Sequence, residues 1–312
     1  MLFGIYPGGA SGDDTGGLAT GAPDSPDRIS ALLDALQGPA RQFLVRAYTA
    51  FKDTGGTPTT PADAVRYAVR GRRLDLVAQY QSASGDVTGY CAFLRDLVER
   101  FGAVTATLQV TEEPNVTDNP VLDGYYPGVR DAITAGVVAA KAHARALGHD
   151  LAVGVNTTPL FGPATSFLAD LTARDPAFAD ALDYVGLDFF PDVFRPLEGD
   201  LAEGVAGLLA HHREAVMAPA GLAHVPLHVT EHGWPTGPDR SPRRQAEVVD
   251  TVVRVLAENA ERLDITGYTH FALRDADSAN PGLFHNFGLT TDDYTPKPAF
   301  HAYRALIAEL CG

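Results

Sequence analysis

Eight short β-rich runs recur along the chain with a longer, helix-patterned stretch after each, and this alternation leaves few folds open. The runs are "LFGIYP", "FLVRAYTAF", "LDLVAQY", "VTATLQVTEEP", "LAVGVNTTP", "LDYVGLDFFP", "VPLHVTEHGWP" and "ITGYTHFALRD". The spacing predicts helices over Asp27 to Leu36, Pro61 to Arg70, Val87 to Phe101, Gly128 to Leu147, Ala164 to Leu171, Leu201 to Met217, Arg243 to Arg262 and Pro298 to Glu309. In "SPDRISALL" and "SPRRQAEVV" a Ser precedes a Pro near the first turn, a helix start signal. Strands separated by helical crossovers pair in parallel, and eight such units in 312 residues match a (β/α)8 TIM barrel. The expectation is therefore one α/β barrel domain over residues 1–312.

The competing doubly wound sheet would need a Gly-rich phosphate turn after the first strand. "YPGGASGDDTGG" lacks both G-x-G-x-x-G and a phosphate-binding lysine, and it reads as a flexible rim loop. Composition narrows the partners. With 45% hydrophobic and 20% charged residues the chain can bury a large core, and a net charge of −15 opposes binding to nucleic acid or an anionic membrane. Cys91 and Cys311 fall in no metal or disulfide pattern and read as free thiols. The opening "MLFGIYPGG" has no basic region followed by an apolar one, so the expectation is a cytoplasmic protein as written, or a secreted one if an export signal has been removed. The oligomeric state is not legible, and no cofactor or metal is implied. His211 and His212 are expected to be solvated on their helix, and "DPAFADALD" to be an ordinary polar connection.

In a barrel the chemistry sits at the C-terminal ends of the strands. Those ends carry Arg46; Gln79 and Tyr80; Glu112 and Glu113; Asn156; Asp188 and Phe190; Glu231, His232 and Trp234; Arg274 and Asp275. Strand alternation places Thr107, Gln109, Thr111 and Glu113 inward, with Leu108 and Val110 outward. Glu231 joins Glu113 at the rim if it shares a face with Leu227 and Val229. Two opposed carboxyls are what glycosidic hydrolysis requires, one protonated to donate to the leaving oxygen and one ionised to attack or stabilise positive charge. Ordinary rim carboxylates, neutralised by Arg46 or Arg274, are the bland alternative. A lyase or metal-dependent hydrolase would want a His/Asp cluster at metal spacing, and no such cluster is visible in the sequence.

The ordered set of motifs resembles the clan A glycoside hydrolases, which are (β/α)8 enzymes cleaving β-glycosides with retention. "EEP" at Glu112 to Pro114 is similar to that clan's Asn-Glu-Pro, "TEHGW" at Thr230 to Trp234 to its seventh-strand motif, Arg46 in "LVRAY" to its second-strand arginine, and "FGLTTDDYTPKPAF" to its late segment. The resemblance implies Glu113 as general acid/base and Glu231 as nucleophile on an oligosaccharide or other glycoside. It implies sugar contacts from Arg46, Tyr80, Glu112, Asn156, Asp188, Phe190, His232, Trp234, Phe271 and Arg274. Three positions depart from the pattern. Glu112 replaces the asparagine that bonds the sugar 2-hydroxyl, Phe271 stands near the place of an eighth-strand tryptophan, and Phe190 where a tyrosine often orients the nucleophile. Glu112 would either pair with the ammonium of a 2-amino sugar or bond a neighbouring arginine. A carbohydrate-binding barrel without turnover is the alternative function.

Overall fold

The computed structural model describes residues 1–38 and 40–311. Eight parallel strands close on themselves: β1 (Leu2–Tyr6), β2 (Phe43–Lys52), β3 (Arg72–Tyr80), β4 (Thr105–Val110), β5 (Ala152–Thr157), β6 (Tyr184–Asp188), β7 (Leu227–His232) and β8 (Ile265–Phe271). Closure is made by β1, which pairs with β8 at Gly4↔Thr269 and with β2 at Gly4↔Leu44. The chain is a (β/α)8 TIM barrel.

The described residues form eight α-helices: α1 (Pro26–Gln37), α2 (Val87–Phe101), α3 (Val129–Leu147), α4 (Phe167–Arg174), α5 (Pro176–Ala181), α6 (Leu201–His211), α7 (Pro242–Leu263) and α8 (Pro298–Leu310). The two start signals are realised as Pro at the first turn of α1 and α7, and in α7 the Ser241 side chain also accepts the Arg244 N–H at 3.1 Å. Helix α7 buries Val248, Val249, Val252, Val253 and Leu256, the i, i+4 stripe that holds a crossover helix against the strands.

Their distribution departs from the sequence reading in two places. Between β2 and β3 the expected helix Pro61 to Arg70 is only a 3₁₀ turn, Ala64–Tyr67. The chain leaving β2 first folds back along it, with Thr60 and Tyr48 exchanging backbone hydrogen bonds at 2.8 and 2.9 Å, so few residues remain for a helix. Between β5 and β6 there are two short helices. "DPAFADALD", expected as a plain connection, forms α5, capped by the Asp175 side chain accepting from Ala177 N–H at 2.9 Å. The glycine-rich rim segment is also ordered, as a hairpin pairing Ser11↔Ala19 and Gly12↔Leu18.

Inside the barrel, large and small side chains alternate around each layer. The Tyr184 ring lies over Gly154, where an added Cβ would come within 2.4 Å of it, and His228 stacks on Tyr184 at 4.3 Å. Above this packed floor the interior turns polar, and the site begins there.

Candidate active site

Arg46 is the hub. It lies on β2, inward by alternation, in register with Asp75 of β3. Its guanidinium is fully buried and every one of its nitrogens is engaged. Nη1 donates to Asp75 at 2.9 Å, Nη2 to Gln109 Oε1 at 3.0 Å and Glu112 Oε2 at 3.3 Å, and Nε to Tyr48 Oη at 2.8 Å and Glu231 Oε1 at 3.2 Å. Burial opposes its charge, but Tyr48, Asp75, Glu112 and Glu231 outweigh that and hold it protonated.

Both glutamates reach the rim through breaks in strand regularity. Regular alternation lasts through Thr107 and Gln109, whose side chains bond Asp75 and Arg46 inside the barrel. Thr111 then adopts φ +71 and Glu113 φ +42, the left-handed region that β-branched residues rarely enter. The twist turns Glu112 inward, against the expectation from alternation. Its carboxylate accepts from Gln109 Nε2 at 2.5 Å and from Arg46, and its N–H donates to buried Asp123 at 2.8 Å. Of the two readings of Glu112, the bond to a neighbouring arginine is the one present. Glu113 follows, half-buried, with its N–H donated to Asn156 Oδ1 at 3.0 Å. On β7, Leu227 and Val229 face the outer core while Thr230 bonds Asp188 within the barrel, and the pairing with β6 slips between Val229 and Glu231. That irregularity, not a face shared with Leu227 and Val229, sends Glu231 toward Arg46.

Glu231 Oε1 receives two donors, Arg46 Nε and the hydroxyl of Tyr48. Tyr48 was missed from sequence, although it stands two residues after Arg46 on the same face. It supplies from β2 the hydroxyl that Phe190 on the β6 loop lacks. Burial above all keeps that hydroxyl protonated and donating.

Three carboxyls crowd the centre, since oxygens of Glu112, Asp188 and Glu231 all lie within 4.8 Å of one another. Among the described residues this is the one group with the spacing to hold a cation. Arg46 bonds two of its three members, so a guanidinium already serves there. Burial, followed by the charge of Glu231, pushes Asp188 up to about 8. Burial, followed by Asp188 and Glu231, raises Glu112 and Glu113 well above the carboxylate range. Asn156 links Asp188 to Glu113, donating from Nδ2 to the former while accepting from the latter's backbone.

The structure gathers Arg46, Glu112, Asn156, Asp188 and Glu231, with Glu113 beside them and Phe190 at the rim. It directs others elsewhere. Tyr80 is buried against Tyr90 and donates to Pro127 O at 3.0 Å. His232, put outward by the β7 slip, bonds Tyr268 at 2.7 Å beneath α8, and burial lowers it to about 3. Trp234 is buried with the Arg240 guanidinium 5.1 Å from its ring centre. Arg274 clamps the loop after β1, donating to Asp24 at 2.9 Å and Ala22 O at 2.7 Å, the bland reading. Phe271 has one face stacked on Tyr6 at 5.1 Å, leaving it little surface to offer a sugar. His212, expected in solvent, is fully buried and neutral, lowered by burial to about 3. Besides Tyr48, the sequence reading missed Asp75 and Asp123, and it placed Gln109 inward without giving it a role. Asp75 and Gln109 lie on inward positions of β3 and β4, whereas Asp123 comes from a loop with no pattern to mark it.

No family model matches the chain, and no curated protein matches it. Solved structures share its fold. A family 39 glycoside hydrolase from the gut symbiont Bacteroides cellulosilyticus WH2 superposes with a TM-score of 0.66 at 15% identity over 98% of this chain. A fungal β-1,4-galactanase gives 0.62 at 11% identity, covering 98% of this chain and 99% of the galactanase. The β-D-glucuronidase of Dictyoglomus thermophilum gives 0.62 at 13% identity over 99% of this chain. The chain spans 63% of the family 39 enzyme and 50% of the glucuronidase.

Proposed function

We propose that the protein is a glycoside hydrolase that cleaves β-glycosides by double displacement, with Glu231 as nucleophile and Glu113 as acid/base. The observation that carries this reading is the unequal treatment of two neighbouring carboxyls at the barrel mouth. Glu231 has a guanidinium and a phenol donating to one of its oxygens, whereas Glu113 has its backbone fixed and its carboxyl pushed toward the protonated form, by burial first and then by Asp188 and Glu231. A carboxyl held toward its acid form and a second one held by donors suit the two roles that the reaction divides.

In the first step Glu231 attacks the anomeric carbon while Glu113 protonates the departing oxygen. In the second Glu113, now a carboxylate, takes a proton from the water that releases the sugar. Arg46 and Tyr48 keep Glu231 oriented, and Asn156 fixes the backbone from which Glu113 reaches.

The test is a panel of aryl β-glycosides with the wild type and two variants. Glu231→Ala is expected to lose turnover on every member. Glu113→Ala is expected to retain it where the leaving group needs no proton, and proton NMR of the first-formed sugar is expected to show retained configuration. Wild-type binding of glycosides without turnover would support the carbohydrate-binding alternative instead, and an inverted first product would overturn double displacement.

A further inference from the structure

The sequence contains 15 Phe, 11 Tyr and one Trp. Among the described residues only three of these are largely exposed: Tyr125 at 54%, Phe161 at 47% and Phe194 at 57%. They stand on the loops after β4, β5 and β6, all at the face that carries the site. Phe194 differs from the other two in what lies behind it. Tyr125 contacts Tyr126, and Phe161 stacks on His211. Phe194 is the outer end of a run of rings that leads back to the nucleophile.

That run can be followed ring by ring. Tyr48, which donates to Glu231, meets Tyr6 edge to face at 5.1 Å, and Tyr6 stacks on Phe271. Phe271 meets Phe190 at 6.4 Å and Phe287 at 5.8 Å. Phe190 meets Phe194 at 5.8 Å, Phe194 stacks on Phe284 at 6.1 Å, and Phe284 closes back on Phe287 at 6.4 Å. Beyond Tyr6 every member is a phenylalanine. Phe190 and Phe284 are half-buried and Phe194 is open, so exposure grows outward from the site.

We infer that this wall, drawn from the loops after β6 and β8, is a binding surface for the apolar leaving group of a glycoside, an alkyl or aryl aglycone. The inference rests on the glycoside-hydrolase reading and extends it from reaction to substrate class. Continuity selects the occupant, because the rings run from Tyr48 at Glu231 out to solvent, so a glycoside seated in the cleft would set its apolar substituent against them. Chemistry selects it too. A phenylalanine ring has no hydroxyl or N–H to bond a second sugar, whereas it gains from any apolar surface removed from water. An exposed aromatic patch beside a cleft is also a mark of a binding groove.

The experiment measures binding by calorimetry, with non-hydrolysable probes so that turnover is not needed: n-hexyl and methyl β-thioglycosides of glucose, galactose and glucuronic acid. The wild type is expected to bind the hexyl form of at least one sugar about tenfold or more tighter than its methyl form, since each buried methylene favours the complex. Phe194→Ser with Phe284→Ser is expected to bring that ratio to within about twofold of unity, and Phe161→Ser, outside the wall, to preserve it. A wild-type ratio near one, no measurable binding of either form of any sugar, or a ratio that survives the double substitution would overturn the inference. A clear hexyl preference in a protein that hydrolyses no β-glycoside would sustain the wall and defeat the hydrolase reading. Turnover with no hexyl preference would do the reverse.

Discussion

Tyr48 and Glu231 lie on strands β2 and β7, and the hydroxyl of one donates to the same carboxylate oxygen that Arg46 reaches at 3.2 Å. In its proposed role as nucleophile, Glu231, held by two donors on one oxygen, keeps its other oxygen for attack. Tyr48→Phe removes one donor and nothing else of the side chain's shape. A hydrogen bond to a charged group contributes about 1.5–3 kcal/mol, so kcat should fall roughly 10- to 100-fold with KM little changed. Steady-state kinetics on an aryl β-glycoside checks this, and an unaltered kcat would mean that Arg46 alone orients Glu231.

Asp123 is a buried carboxyl that accepts the N–H groups of Tyr80 at 2.6 Å and Glu112 at 2.8 Å. Asp123→Ala strands both donors, and an unpaired buried donor costs about 1–3 kcal/mol. Burial pushes Asp123 up to about 8, so it is neutral at pH 6 and an amide resembles it. Asp123→Asn should therefore be close to wild type in urea denaturation at pH 6, while the alanine variant is clearly weakened.

Raised carboxyls also make stability depend on pH. Asp123 and Asp188 each rise from 3.8 to about 8 in the folded chain. Between those values the folded state holds protons that the unfolded state has released, so stability falls as pH rises. The contribution is complete below about pH 4 and lost through about pH 8, with a slope of at most about 1.4 kcal/mol per pH unit for each group. The melting temperature should drop from pH 6 to pH 9, and the drop should be shallower in Asp188→Asn. A flat wild-type profile would contradict it.

Glu112 spends Oε2 on Gln109 and Arg46. Burial above all raises Glu112 toward its neutral form, and a neutral carboxyl offers no charge to pair with the ammonium of an amino sugar. Glu112→Asn should change the ratio of β-glucosaminide to β-glucoside cleavage by less than about threefold while lowering both rates, since the shorter side chain no longer reaches Arg46. A strong wild-type preference for the amino sugar, erased by the substitution, would restore the ammonium reading.

The barrel was legible because its pattern is long-range and repeated, and α2 falls on the residues that its spacing marks. The site was legible in composition and less so in direction. Arg46 follows plain alternation, and Tyr48 could have been read from the same rule. Glu112 could not, because its inward turn depends on Thr111 at φ +71, a backbone state that a threonine gives no sign of adopting. The slip in β7 is likewise a property of strand pairing, absent from the residues of either strand alone. Asp123 reaches Glu112 from a loop, where no periodicity exists to point at it.

Arg46 also ties the order of assembly to the function of the finished molecule. Its carboxylate partners lie 29, 66 and 185 residues away along the chain. Burying a guanidinium is costly until its anions are in place, so an intermediate holding only β1 to β4 would enclose the charge without Glu231. Glu231 on β7 completes the network, and β8 then closes the barrel onto β1, which favours cooperative closure over stepwise accretion of half-barrels. Fragments ending before Leu227 should therefore stay expanded in solution scattering, and Arg46→Met with Asp75→Asn, which removes the guanidinium together with its buried aspartate partner, should let them compact.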